Sequence, residues 1–165
     1  MPLRLAAALA AVLLLAPASA TARDPTRSRH LWATVNVCDT ARHPNVIGVR
    51  VSMPGTGRRG DRMLARIQIE WFDVARGAWR SVGRRGDSGT LRVGSGARRV
   101  VQSGANFAFR PPRAGSFLLR GHVRFAWQRG RRAAYQARRV TEGGHGREVR
   151  VADPRGHSRA SCAIR

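Results

Sequence analysis

The stretch from Arg84 to Thr90, RRGDSGT, contains residues that could do chemistry. The string GDSG presents Ser88 as a nucleophile, which would need a histidine base, an aspartate to orient that base and an oxyanion hole. The string RGD, formed by Arg85 to Asp87, spells an adhesion tripeptide. The same residue types also build polar turns, since Gly supplies unusual dihedral angles and Asp and Ser bond their own backbone.

The nucleophile interpretation fails on motif and on length. GDSGT resembles the GDSGG string of trypsin-like serine proteases but departs from it at Thr90, and DTARHPN around His43 only faintly echoes the histidine motif of that family. His43 and Ser88 are 45 positions apart (88 minus 43). A chain this short cannot build the two barrels across which that family spreads its triad.

The adhesion interpretation is weakened by repetition. RRGD occurs twice, at Arg58–Asp61 and at Arg84–Asp87, and both copies fall in Gly-rich segments between apolar runs. Gly and Asp are enriched in turns for dihedral reasons. We therefore predict that both strings are turns.

Other catalytic or metal-binding patterns are missing from the sequence. Only 9 residues are acidic, and the 5 histidines show neither HxH nor HExxH spacing. Neither cysteine has a second ligand at zinc-site spacing. We expect no enzymatic activity, no cofactor and no metal; the alternative is an enzyme whose site is assembled from scattered residues such as His122, Asp73 and Ser88.

The N-terminus predicts export. Residues 1–20 show a positive charge at Arg4, an apolar run and the Ala18-Ser19-Ala20 cleavage pattern of a signal peptide. Cleavage after Ala22 fits equally well. The run is too short to be a transmembrane segment, which needs about 20 apolar residues. We predict a secreted protein, extracellular or associated with the cell wall, with a flexible lead-in over residues 21–30.

The cysteine count agrees with an oxidising compartment. Cys38 and Cys162 are the 2 cysteines of the chain, and an exported protein with a small even number favours one disulfide. Two free thiols are the alternative. A bridge would bring the first and last strands of the domain side by side, or opposite each other across two sheets.

Period-two alternation of apolar residues dominates residues 31–165 and predicts one all-β domain. The clearest examples are Met63–Trp71 and Phe117–Trp127, in which apolar and charged residues alternate. Gly- and Pro-rich turns separate about eight to ten short strands, which is typical of an antiparallel β-sandwich. Val149–Val151 is among the weaker predicted strands.

Two resemblances extend this interpretation. RPPRAGSFLLRGHVRF resembles the proline-glycine corner and following long strand of bacterial immunoglobulin-like modules, which implies an immunoglobulin-like architecture. LWATVNVCDT, IGVRVSMPG, FLLRGHVRF and SRASCAIR resemble a group of small secreted actinobacterial proteins of unknown function. The second resemblance implies export, a two-cysteine domain and a GC-rich source, and it carries over no functional residues.

The charge balance points to an anionic partner. The formal net charge is +22, and all 31 basic residues are arginine. Guanidinium groups bind phosphates and carboxylates through paired hydrogen bonds. The predicted polyanion-binding residues are Arg120, Arg124, Arg129, Arg131, Arg132, Arg138, Arg139 and Tyr135.

We therefore expect a secreted, non-catalytic binding or structural module at the cell envelope, and several partners fit its basic surface. An anionic envelope polymer such as a teichoic acid, an acidic lipid surface, and nucleic acid bound without sequence preference all carry the required charge. The alternative is a solvated face that only keeps a secreted domain soluble, with basicity that reflects codon bias. The oligomeric state is left open by the sequence.

Overall fold

A computed structural model describes residues 24–165. The predicted signal peptide, 1–20, and both cleavage positions lie outside the described residues. Within 24–165 the chain forms nine strands, two single 3-10 turns and no α-helix. The strands are β1 (Trp32–Thr40), β2 (His43–Pro54), β3 (Asp61–Asp73), β4 (Ala78–Ser81), β5 (Leu91–Ser95), β6 (Val100–Ala108), β7 (Phe117–Arg129), β8 (Arg132–Val140) and β9 (Cys162–Ile164).

The strands form two antiparallel sheets. The small sheet has the order β1-β2-β6, and the large sheet has the order β4-β3-β7-β8, with β5 also beside β3 and β9 beside β7. All strand pairs within both sheets are antiparallel. The predicted all-β sandwich is confirmed.

The core follows from the alternation in the sequence. Val49 and Val51 of β2 belong to the same buried cluster as Ile67 of β3 and Phe125 of β7, and none of these four side chains is more than 1% exposed. Burial of such side chains supplies the main driving force for folding. In residues 24–165, no helix has the length and apolar character that crossing a membrane requires.

Strand β1 is buried on both faces, although its alternation predicts one solvated face. Trp32, Thr34 and Asn36, which point away from the core, are all at most 2% exposed. The residues from 141 to 161 cover them. The Thr34 hydroxyl donates to the carbonyl of Glu142 at 2.6 Å. This covering segment also pairs with the outer edge of β1.

The predicted strand at Val149–Val151 is wrong. Side-chain amides form hydrogen bonds with the backbone of this segment, where the backbone of a neighbouring strand would bond a true strand. Gln102 of β6 donates to the carbonyl of Glu148 at 2.7 Å and accepts from the N–H of Arg150 at 3.3 Å. The Asn36 amide of β1 donates to the carbonyl of Val151 at 2.7 Å. The segment is therefore tied to the small sheet without becoming a strand.

Part of the predicted flexible lead-in lies against the domain. Pro25–Arg27 forms a 3-10 turn capped by Asp24, and Pro25 is buried. A guanidinium nitrogen of Arg139 in β8 donates to the carbonyl of Thr26 at 2.9 Å. Pro25–Arg27 is thus in contact with the edge of the large sheet.

The predicted disulfide is present. Cys38 of β1 bonds Cys162 of β9, with the two Cα atoms 5.4 Å apart. Because β1 belongs to the small sheet and β9 to the large one, the bridge joins the two sheets. The first and last strands therefore face each other across the sandwich.

Candidate functional site

The aspartate of the second RRGD string anchors its turn to the large sheet. Asp87 accepts hydrogen bonds from Nε and Nη2 of Arg66 at 2.8 and 2.6 Å and from the Gln68 amide at 3.1 Å. It also accepts from the N–H of Gly89 at 2.9 Å, as in a polar turn. Its side chain is 15% exposed. The carboxylate is engaged within the domain and is not displayed as an adhesion ligand.

The aspartate of the first RRGD string is engaged in the same way. Asp61 accepts from Nε and Nη2 of Arg129 at 2.9 and 3.0 Å and from the hydroxyl of Thr56 at 2.7 Å. It is 1% exposed. Both strings are therefore turns whose aspartate pairs with an arginine of the sheet, as the turn interpretation predicts.

Ser88 has a structural environment. Its hydroxyl accepts from the N–H of Ile67 at 2.9 Å and donates to the carbonyl of Gly89 at 2.8 Å. The first hydrogen bond fastens the turn to β3, and the second closes the turn on itself. The hydroxyl proton is thereby committed to a backbone carbonyl.

The residues suggested for a scattered active site have separate partners. Asp73 pairs with Arg76 at 3.0 Å, and His122 lies 3.8 Å from the carboxylate of Glu70. The structure does not connect either of them to Ser88 by a hydrogen bond. Among the described residues, no group of three or more His, Cys, Asp or Glu side chains is placed to hold a metal ion.

The Asp87–Arg66 pair makes stability depend on pH. Hydrogen bonds from Arg66 are the main cause that lowers the pKa of Asp87 from 3.8 to about 2. Because the folded-state pKa is depressed, the stabilisation is present above about pH 4 and is lost as the pH falls towards about 2. We expect Asp87→Asn to remove this part of the acid sensitivity. Urea unfolding of both proteins between pH 2 and 6 measures it, and identical pH profiles would contradict the assignment.

Three arginines stand directly opposite one another on the outer face of the large sheet. Arg66 of β3 is in register with Arg124 of β7, and Arg124 is in register with Arg138 of β8. We call these three residues the arginine row. Facing residues on neighbouring strands have Cβ atoms about 5 Å apart, and like charges at that distance destabilise a sheet.

A groove runs across the strands beside the arginine row. Its floor is formed by Leu64 and Ala126, which are paired in register two residues further along the strands. Gln136 of β8 is in register with Ala126 and continues the floor, Gln128 lines the other side, and Thr90 lies at one end. The small side chain of Ala126 leaves a depression between longer polar side chains. This arginine groove encloses about 510 Å³ and is open to solvent.

The arginine row is only partly neutralised. Five arginines in residues 24–165 form ion pairs with carboxylates, namely Arg27, Arg66, Arg76, Arg120 and Arg129. Arg66 is therefore balanced by Asp87. Arg124 donates to the neutral Gln68 side chain at 2.9 Å, and both Arg124 and Arg138 are exposed. Two positive charges of the row thus face solvent without a carboxylate in the described part of the chain.

Two of the predicted binding arginines are already neutralised. Arg120 pairs with Glu70 at 2.8 Å, and its guanidinium carbon lies 4.2 Å from the ring centre of Trp79. Arg129 pairs with the buried Asp61. Their charges are balanced within the domain, so they add little to an attractive field.

The remaining predicted residues are spread over different surfaces. Arg131 and Arg132 are exposed at the turn between β7 and β8. Arg139 and Tyr135 pair in register with the buried Val123 and Trp127, so they lie on the opposite face from Arg138. The Tyr135 ring packs edge-on against Trp127, with centroids 6.5 Å apart. The structure therefore brings together Arg124 and Arg138 alone from the predicted set.

Sequence reasoning missed the residues that complete the groove. Arg66, Gln128, Gln136 and Thr90 were not predicted, although alternation already places Arg66 on the polar face of its strand. The sequence does not reveal that β3 lies beside β7, because β4, β5 and β6 separate these two strands in the chain.

Comparison with known proteins gives no match: no family model, curated protein or solved structure is significantly similar to this chain. The resemblance to small secreted actinobacterial proteins therefore stays a prediction.

Proposed function

We propose that this chain is a secreted, non-catalytic binding module of the cell envelope whose arginine groove binds an anionic polymer. The observation that carries the proposal is the arginine row: Arg66, Arg124 and Arg138 stand in register, and within residues 24–165 only Arg66 of the three has a carboxylate partner. The disulfide between Cys38 and Cys162 is compatible with an extracellular location.

An anion bound in the groove would relieve the repulsion within the row. Arg124 and Arg138 project from adjacent strands, so their guanidinium groups can converge on one phosphate or on neighbouring phosphates. Gln128 across the groove and Gln136 on its floor offer amides that can bond hydroxyl groups of a polymer backbone. A polyol phosphate, as in teichoic acids, carries both kinds of group.

The width of the groove favours a single flexible chain. The arginine row and the opposite side at Gln128 are four positions apart on β7, or about 13 Å at the rise of a strand. A double-stranded nucleic acid is wider than this and would contact only the rim. A lipid bilayer is flat and would likewise not enter the depression.

We expect the double substitution Arg124→Gln and Arg138→Gln to weaken binding of poly(glycerol phosphate) by about tenfold or more, since two charge-assisted contacts are lost. The slope of the logarithm of the dissociation constant against the logarithm of the salt concentration should also fall by about 1.5, because two fewer phosphates are neutralised. Fluorescence anisotropy with labelled polymer between 50 and 200 mM NaCl measures both quantities.

The matched control is Arg110→Gln with Arg113→Gln, which changes the net charge equally. Both residues are exposed and precede β7, whose first residue is seven positions from Arg124, or about 23 Å along the strand. This control should stay within about threefold of the wild type. Equal losses in the two double variants would mean that net charge alone governs binding. Equal competition by duplex DNA would point to non-specific nucleic-acid binding, and preference for acidic vesicles to a membrane surface.

A further inference from the structure

A second, apolar cavity opens at the other end of the large sheet. Trp71 of β3 and Leu119 of β7 are in register, and Phe117 lies on the same inward face of β7. Phe109, which follows β6 of the small sheet, closes the other side. With Val82 and Ser81 these residues line an end cleft of about 260 Å³ between the sheets.

The end cleft leads from solvent to the core. Phe117 is 39% exposed at its entrance, whereas Leu119 inside it is 2% exposed. Five of the six lining residues are apolar, and Ser81 alone carries a polar side chain. A concave apolar surface that remains open to water is typical of a ligand-binding site.

A positive charge lies beside two of the residues that line the end cleft, Trp71 and Ser81. Arg80 of β4 is in register with Trp71 and therefore lies on the same face of the sheet. Arg80 is exposed and forms no ion pair within residues 24–165. The nearby carboxylates are already engaged, because Glu70 pairs with Arg120 and Asp73 pairs with Arg76. An anionic group bound beside Arg80 would meet no competing acid of the domain.

We infer that the end cleft binds a free medium-chain fatty acid, with its hydrocarbon chain against Trp71, Phe109 and Phe117 and its carboxylate at Arg80. The volume lies slightly below the about 300 Å³ at which pockets for drug-sized ligands begin, so a short unbranched chain fits and a bulky ring system does not. This site is on the opposite face and at the opposite end of β7 from the arginine groove, and it is independent of polymer binding.

Tryptophan fluorescence tests the placement of the chain, because Trp71 is the one indole that lines the end cleft. Titration with 10-bromodecanoic acid, whose bromine quenches nearby indoles, should quench the wild type with saturation. Trp71→Phe keeps the lining apolar and should lose most of that quenching. Calorimetry of the variant with decanoic acid measures its affinity separately, so the quenching is compared at equal occupancy of the cleft. Unsaturable quenching, or quenching unchanged in Trp71→Phe, would overturn the inference.

A charge variant tests the placement of the carboxylate. Arg80→Gln should weaken binding of decanoate at neutral pH by about tenfold, since one charge-assisted contact is lost. Binding of 1-decanol, which has the same chain without the charge, should not change. Arg124→Gln with Arg138→Gln should bind decanoate as the wild type does, which separates this site from the arginine groove. Equal effects of Arg80→Gln on acid and alcohol would overturn the role of Arg80.

Discussion

Replacing Cys38 and Cys162 together with serine is expected to lower the free energy of unfolding by about 5 kcal/mol. The bridge joins residues separated by 124 positions, and in the chain-entropy model a loop of this length restricts the unfolded chain by that amount. It also joins the first strand of the small sheet to the last strand of the large one. Guanidinium unfolding of the wild type and the double variant measures the difference.

Reduced wild-type protein is the control that separates loss of the bond from the change of side chains. Wild-type protein kept in excess reductant retains both sulfur atoms but lacks the bond, so its loss of stability should match that of the double serine variant within about 1 kcal/mol. A loss below about 1 kcal/mol in both cases would contradict the role given to the bridge.

Trp32→Ala is expected to cost about 3 to 5 kcal/mol, the range for truncating a buried aromatic residue. The Trp32 side chain points away from the main core, yet it is only 1% exposed. Its ring stacks on that of His145 with centroids 4.4 Å apart, and its Nε1 donates to Glu148 at 3.2 Å. The substitution should also release the covering segment, 141–161, from β1.

Hydrogen exchange distinguishes this local release from general destabilisation. Amide protection in residues 141–161 should fall before protection in β3 and β7 falls. Trp79→Ala is the matched control, because Trp79 is only partly buried on the outer face and packs against Arg120 and Phe72. It should cost no more than about 1.5 kcal/mol. Equal costs for the two substitutions would show that Trp32 does not hold the segment.

The strands themselves could be predicted well from alternation, and their partners could not. The Met63–Trp71 pattern predicts β3, with its apolar side chains towards the core, and the structure confirms both. Alternation fails at β1, where the second face is also covered. The covering segment is attached by side-chain amides and turns, which have no periodic signature in sequence.

The candidate site depends on sheet order, which explains why only part of it could be predicted. Arg124 and Arg138 belong to a hairpin, so their proximity follows from a short connection between β7 and β8. The third member, Arg66, joins them only because β3 pairs with β7 across a long separation. The neutralisation of Arg120 and Arg129 depends on the same pairing, since Glu70 and Asp61 also lie on β3.

Thermal unfolding with and without polymer tests the anion-binding role of the arginine row most directly. Without polymer at low salt, Arg124→Gln with Arg138→Gln should raise Tm by about 1 to 3 °C, because repulsion across the strands is relieved. Poly(glycerol phosphate) at about 100 times the wild-type dissociation constant should raise the Tm of the wild type by about 5 °C or more and that of the variant by about half as much or less. Two results together would contradict the anion-binding role: a variant Tm no higher than that of the wild type without polymer, and an equal rise in Tm of both proteins when polymer is added.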